Sequence, residues 1–257
     1  MLDSIFSDKG LRTMAMGPNN QFELRTGRMT SAQADAAPID AGLRKYMLQV
    51  YNYMASGVLL TGIVAGAVAS SPAAIEMIFG SGLSLVVMLA PFAFILALSF
   101  GINKMSAATA QAVFWAFAAV MGLSLSSIFL AYTGESVARV FFITAGSFAG
   151  LSLYGYTTKK DLSGFGSFLI MGLIGIVIAS LVNIFLQSSA MQWMISVVGV
   201  LVFAGLTAYD TQRIKLMYSE LDDSEVYGKK AIMGALSLYL DFINMFLMLL
   251  HLFGNRE

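Results

Sequence analysis

Two aspartates of this sequence lie in or beside long apolar segments, where a lone carboxylate is costly. Asp210 lies in the stretch GLTAYDTQRIK, directly after the uncharged run MISVVGVLVFA, and Asp241 lies near the middle of GALSLYLDFINMFLMLLHLF. Apolar runs of this length predict helices that cross a membrane. An ionised aspartate at mid-bilayer costs several kcal/mol. We therefore expect Asp241 to be protonated, paired or next to a wet cavity.

Asp241 belongs to a polar stripe on its predicted helix. Ser237, Asp241, Asn244 and Met248 follow at positions i, i+4, i+7 and i+11, which share one face of a helix. The positions around this stripe are mostly Leu, Phe, Ile and Met. The stripe favours a central helix that turns its polar face to the bundle interior. His251, the one histidine, continues the stripe and is more typical of an interfacial residue than of a ligand.

Asp210 has polar neighbours on its own helix face, Thr207 at i−3 and Arg213 at i+3. One interpretation is a local ion pair in which Arg213 reaches the headgroups. The other is that Asp210 and Asp241 form one two-carboxylate site, although the apolar limits of the two helices leave them several residues apart in depth. Carboxylates at hydrogen-bonding distance share a proton and titrate as a unit. The deprotonated pair would offer oxygen ligands to a hard cation such as Ca²⁺.

Composition places the chain among membrane proteins. Of 257 residues, 58% are hydrophobic and 12% are charged, whereas a soluble domain carries about 25% charged residues. The formal net charge is zero, so nothing in the bulk charge indicates a nucleic-acid partner. The absence of cysteine excludes disulfides, thiolate metal sites and cysteine nucleophiles.

Seven apolar segments are long enough to cross the bilayer, which takes about 20 residues. They cover approximately residues 46–70, 82–102, 107–132, 137–157, 165–187, 191–210 and 231–252. Because backbone amides in lipid need internal partners, these segments must be helical. The predicted fold is an all-α polytopic membrane protein, a seven-helix bundle over residues 41–257 with the last helix at its centre. Small residues, Gly62 and Gly66 at GxxxG spacing and Gly172 and Gly175 on a later segment, are expected to allow close helix packing inside the bundle, with a dimer face as the alternative.

The basic residues predict the orientation of this bundle. If seven helices alternate, thirteen of the fifteen Lys and Arg residues fall on one side, and Arg139 and Arg256 fall on the other. The positive-inside rule then places the N-terminus in the cytoplasm and the C-terminus outside. A re-entrant last segment would return the C-terminus to the cytoplasm, and this alternative stays open. Residues 1–40 are polar and predict a disordered cytoplasmic leader.

Four stretches carry a resemblance to a known family. FAGLTAYDTQRIK and LSLYLDFINMFLMLL resemble the two signature segments of the transmembrane Bax-inhibitor-motif family, the Bax inhibitor-one-like membrane proteins. LYGYTTKKDLSGFGSFL resembles a third segment, and GLRKYMLQVYNYMASGVLLTG resembles the bacterial branch. The resemblance implies an inner-membrane protein with a central last helix and a pH-sensitive calcium leak. In it, Asp210 and Asp241 match the family's proton-sensing pair.

Three classes of function follow from these features. The first is a pH-sensitive calcium or cation leak channel gated by Asp210 and Asp241, with Thr207, Arg213, Ser237 and Asn244 as supporting neighbours. The second is a regulator or adaptor in membrane-protein quality control or stress response, partnered with a membrane protease or another membrane protein. The third is a presenilin-like aspartyl protease, but LYL precedes Asp241 where that class has a GxGD motif. We therefore expect no enzyme, no cofactor beyond calcium as the transported or bound ion, and the lipid bilayer as the surrounding partner.

Overall fold

The computed structural model describes residues 31–256, with side chains described from residue 41 onward. Residues 41–257 form a compact unit of their own. The elements in the described range are helical: α1 (Ser31–Ala69), α2 (Pro72–Ile75), α3 (Ser84–Gly101), α4 (Ala107–Leu125), α5 (Ile128–Ala131), α6 (Gly134–Thr157), α7 (Ser163–Leu186), α8 (Ser189–Leu216) and α9 (Ser224–Phe253). A π-helical turn (Glu76–Gly80) follows α2, and a 3₁₀ turn (Ile102–Lys104) ends α3.

Seven of these segments are long and apolar enough to cross a membrane, which confirms the predicted all-α seven-helix fold. They comprise the part of α1 from Ala41, α3 with its 3₁₀ turn, α4 with α5, and then α6, α7, α8 and α9. The predicted leader over residues 1–40 lies mostly outside the described residues. Helix α1 begins at Ser31, inside the stretch predicted as leader.

Helices α8 and α9 both extend beyond their apolar segments, because charged side chains at their ends find partners. Helix α8 ends at Leu216 rather than 210, and α9 begins at Ser224 rather than 231. The side chain of Asp223 caps α9 by accepting a hydrogen bond of 2.8 Å from the Val226 amide. Lys230 Nζ donates to Asp222 Oδ2 at 2.6 Å and thereby ties the α8–α9 loop to the first turns of α9.

Helix α9 lies at the centre of the bundle. It packs most extensively on α8 and also on α6 and α4. Its buried side chains occur on almost every side of the helix, from Ala231 to Leu250. A helix surrounded in this way has little contact with lipid, as the sequence prediction of a central last helix requires.

The last segment is one continuous helix and not a re-entrant one. Helix α9 runs unbroken for 30 residues, about 45 Å. Its far end meets the loop between α5 and α6. The Thr133 amide donates to Asn255 O at 3.1 Å, and the Asn255 amide donates to Ser136 Oγ at 2.9 Å. The chain therefore ends on the side of the bundle where α5 ends. Which side of the membrane that is stays a prediction.

The expectation of close packing was wrong at Gly62, Gly66 and Gly175, where an added Cβ atom would meet nothing within 4 Å. It is confirmed at Gly172 of α7, where a Cβ would lie 3.0 Å from Val202 Cγ2 of α8. Close approach also occurs at Gly155, where a Cβ would collide with the carbonyl oxygen of Ala208 on α8. GxxxG spacing permits close packing, but it does not decide which face of a helix a neighbour occupies.

Candidate functional site

The contact between α8 and α9 fixes the relative heights of the two aspartates. A Cβ at Gly234 of α9 would lie 3.1 Å from Ile214 Cγ2 of α8. The helices are antiparallel, so the residue seven positions after Gly234 lies beside the residue seven positions before Ile214. Asp241 is therefore level with Thr207.

A second contact gives the height of Asp210. A Cβ at Gly199 of α8 would lie 2.9 Å from Met248 Cγ of α9. The residue eleven positions after Gly199 therefore lies beside the residue eleven positions before Met248. By this contact Asp210 is level with Ser237. Asp210 and Asp241 are therefore offset by three to four residues along the helices, about 4.5–6 Å or one turn. The extension of α8 past its apolar limit removes the larger mismatch expected from the sequence.

Both aspartates lie on the stripes that the two helices turn toward each other. On α9, Asp241 is seven residues from Gly234 and seven from Met248, the positions that contact α8. On α8, Asp210 is four residues from Ile214 and eleven from Gly199. These intervals return to the same helix face. The structure thus brings Asp210 and Asp241 into one interface, as the two-carboxylate interpretation requires.

Asp241 is a buried carboxyl group, and one of its oxygens is a buried atom without a hydrogen-bond partner among the described residues. Its side chain is 5% exposed, and the oxygen without a partner is Oδ2. Among those residues, Asp210 and Arg213 are the charged side chains near enough to act on it electrostatically. A buried polar atom without a partner costs about 1–3 kcal/mol. Such an atom in a native fold calls for an explanation, and a functional role is one.

Asp210 is buried and forms an ion pair with the side chain of Arg213. Arg213 Nη1 lies 3.7 Å from Asp210 Oδ1, which confirms the local ion pair predicted from the i, i+3 spacing. The side chain of Arg213 is 50% exposed, whereas that of Asp210 is 13% exposed. A pair this long and this open contributes little stability. The ion pair does not exclude a two-carboxylate site, because Asp210 also lies in the α8–α9 interface that contains Asp241.

The predicted supporting residues lie in this interface without hydrogen bonds to the carboxylates. Thr207 is fully buried, and its hydroxyl donates to Phe203 O at 2.8 Å. Asn244 is half-buried and donates to Leu240 O at 2.8 Å. Ser237 is also half-buried. Thr207 and Ser237 stand level with Asp241 and Asp210 respectively, but the hydrogen bonds of Thr207 and Asn244 go to their own helices.

Sequence reasoning missed the two residues that follow Asp210. Thr211 is fully buried, and its hydroxyl lies 3.2 Å from Ser152 Oγ of α6. Gln212 accepts a 2.8 Å hydrogen bond from the Leu162 amide and donates one of 2.8 Å to Lys160 O. Together they fasten the end of α8 to α6 and to the α6–α7 loop. Their position within YDTQR could have predicted these contacts, since polar side chains at the edge of an apolar helix need partners.

Asp210 and Asp241 are the two carboxylates that the α8–α9 interface presents. Among the described residues there is no group of three or more His, Asp or Glu side chains arranged around one point. Calcium takes six to eight oxygen ligands.

Comparison with known proteins shows the family. The family model described as "Inhibitor of apoptosis-promoting Bax1" matches residues 43–257. The inner membrane protein YbhL of Escherichia coli is 52% identical over 220 residues, which cover 84% of this chain and 94% of YbhL. Protein RP147 of Rickettsia prowazekii is 49% identical over 85% of this chain and 92% of its own length. A Caulobacter vibrioides protein is 47% identical over 93% of this chain and all of its own. The chain is an integral membrane protein that belongs to the Bax1-inhibitor family.

Proposed function

We propose that this chain is a pH-sensitive leak for cations across the bacterial inner membrane, with Asp210 and Asp241 as its gate. Calcium is the ion that the family resemblance implies. The observation that carries the proposal is the buried Oδ2 of Asp241, which has no hydrogen-bond partner in the described part of the chain and lies in the interface that also contains Asp210. Most buried polar side-chain atoms in native folds have a hydrogen-bond partner.

The gate works through the charge of the pair. With a proton bound, the two carboxyl groups carry less charge, and the α8–α9 interface packs as a dry contact. Without it, two negative charges one turn apart repel each other and attract water and a hard cation. Helix faces that pack tightly in one charge state therefore separate in the other. The protonation state is converted into an opening between helices.

Asp210 is the member of the pair that protons and ions reach first. It lies toward the end of α8, beside the half-exposed Arg213, whereas Asp241 is deeper in the bundle. Arg213 offers Asp210 a partner that can turn outward to the headgroups, since a long cationic side chain can keep its charge at the interface. The two aspartates act here as gating groups, and the proposal assigns no catalytic role to them.

The test is calcium flux into proteoliposomes over a pH series from about 5 to 8. Asp210→Asn and Asp241→Asn remove the titrating charge at nearly constant shape. We expect each variant to lose the pH dependence of the wild-type flux. Asp161→Asn is the matched control, because Asp161 is an exposed carboxylate in the α6–α7 loop. Its flux and pH dependence should equal those of the wild type.

An adaptor function would give a different result. In that case the aspartates would serve only the packing of α8 on α9, and purified protein would pass no calcium at any pH. Co-purification with a membrane protease, together with no calcium flux above that of empty vesicles, would favour the adaptor and defeat the leak. A wild-type flux that neither Asn variant alters would defeat the aspartate gate.

A further inference from the structure

An open groove runs between α1 and α6, apart from the α8–α9 interface. Its first part is a cavity of about 600 Å³. Met47, Tyr51 and Met54 of α1 form one wall, and Phe148, Ser152 and Tyr156 of α6 form the other. Arg44 stands at its mouth, near the start of the membrane-spanning part of α1.

A second cavity of about 270 Å³ begins one turn farther along α1, toward the other end of the bundle. Val58, Gly62 and Ala65 of α1 line one side, and Phe141 of α6 lines the other, with Phe242 of α9 at the bottom. The α1 residues of both cavities recur every three or four positions and share one helix face. The groove therefore extends along most of the spanning part of α1.

The interior of the groove suits hydrocarbon rather than water. The polar side chain in its inner part, Thr61, is already bonded, since its hydroxyl lies 2.7 Å from Tyr239 Oη and 2.8 Å from Ala118 O. A buried water needs two to four polar partners, and a cavity lined by aliphatic and aromatic groups stays dry. Inside a bilayer, the apolar chains at hand to fill such a groove are lipid tails.

The mouth of the groove carries positive charge. Arg44 is exposed and forms no ion pair with a described residue. Lys215 lies beside Tyr156 of the groove wall, with Nζ 5.0 Å from the centre of the ring and 2.8 Å from the backbone oxygen. Arginine binds phosphate oxygens through two parallel N–H groups. A cationic mouth above an apolar groove complements an anionic headgroup above a hydrocarbon tail.

We propose that an anionic glycerophospholipid binds in the α1–α6 groove, with its phosphate on Arg44 and one acyl chain between the helices. The binding does not depend on the leak proposed above. The site nevertheless touches the same region, because Ser152 of the groove wall lies 3.2 Å from Thr211, the residue after Asp210. A bound lipid would hold α1 and α6 at a fixed separation next to the candidate gate.

The headgroup is tested by native mass spectrometry of the purified full chain titrated with phosphatidylglycerol and, in parallel, phosphatidylcholine. We expect phosphatidylglycerol to bind more tightly than phosphatidylcholine, and Arg44→Gln to weaken it about ten-fold, as the loss of a charge-assisted hydrogen bond predicts. Lys45→Gln is the matched control: Lys45 is also exposed but lies outside the groove. It should change the affinity less than about two-fold.

The acyl chain is tested by filling the groove. Gly62 lines it and has open space around a Cβ atom, so Gly62→Leu places a side chain in the lipid's path. Gly66 also has open space but does not line the groove, so Gly66→Leu is the control. We expect Gly62→Leu to lower retention of both lipids and Gly66→Leu to leave it unchanged.

Three results would overturn the proposal: equal binding of the two lipids, equal losses for Arg44→Gln and Lys45→Gln, or unchanged retention by Gly62→Leu. A lipid-free dimer in light scattering would assign the groove to a second copy of the chain and would overturn it as well. The Arg44 and Lys45 variants alter exposed side chains, so they decide the question even if Gly62→Leu does not fold.

Discussion

Helices α3 and α9 are placed in opposite ways in this bundle. Helix α3 is among the most apolar spans and is the least buried, whereas α9 is less apolar and the most buried. Of the most apolar eighteen residues of each helix, 11% are buried in α3 and 67% in α9. Apolarity therefore does not draw a helix to the centre of this protein.

The bilayer explains the difference. Leu85 and Phe92 of α3 face lipid, which is as apolar as a protein core, so burying them would gain little. Helix α9 carries Tyr239 and Asp241, whose polar atoms cannot face lipid without cost. Polar groups and close packing, rather than hydrophobic burial, decide which helix is central. The following predictions test that distinction.

The largest effect is expected for a leucine of α9 compared with one of α3. Leu238 is fully buried, whereas Leu85 is 65% exposed. Leu238→Ala leaves a cavity and should lower the free energy of unfolding by about 2–5 kcal/mol. Leu85→Ala should lower it by less than about 0.5 kcal/mol, because lipid fills the space. Thermal unfolding in detergent measures both changes in stability. Equal losses of stability for the two variants would contradict the difference in burial between α9 and α3.

Two glycines of α6 sharpen the comparison within one helix. Gly155→Ala forces a methyl group against the backbone of Ala208 on α8 and should destabilise by about 1–3 kcal/mol. Gly150 has open space, so Gly150→Ala should be neutral or stabilising by up to about 1 kcal/mol. The same unfolding measurement applies. A tolerated Gly155→Ala would contradict the close packing of α6 on α8.

A smaller effect is expected at the hydroxyl pair between α6 and α8. Ser152→Ala removes the partner of Thr211 and should cost about 1 kcal/mol. Ser147, on the exposed face of the same helix, is the control, and Ser147→Ala should change stability by less than about 0.5 kcal/mol. If both variants melted alike, the Ser152–Thr211 contact would contribute nothing to the core.

The smallest effect is expected in the α6–α7 loop. Hydrogen bonds from the side chain and backbone of Ser163 lower the pKa of Asp161 from its ordinary value of 3.8. A lowered folded-state pKa means that the stabilisation is present above pH 3.8 and is lost as the pH falls through the lower value. Asp161→Asn should therefore melt slightly below the wild type at neutral pH and together with it in acid. If the difference in melting temperature between Asp161→Asn and the wild type widened in acid, the predicted direction of the pH dependence would be wrong.

The sequence predicted the membrane spans and the Asp210–Arg213 pair because both depend on local patterns, apolar length and i, i+3 spacing. It did not predict the start of α9 at Ser224, which depends on the Asp222–Lys230 contact across a loop. The sequence also did not predict the register of α8 and α9, in which Asp241 is level with Thr207. That register depends on which glycines of one helix contact which side chains of the other. Gly62 and Gly66 had suitable spacing, but no neighbouring helix packs against them.

The central claim is that Asp210 and Asp241 act as one titrating unit, and a double-mutant cycle of calcium flux against pH tests it most directly. Wild type, Asp210→Asn, Asp241→Asn and the double variant are compared in the same vesicles. For a coupled pair, the double variant should have the same flat pH profile as either single variant, since residues of one unit are not additive. If the effects of the two single variants simply added in the double variant, the aspartates would be independent and the claim would fail.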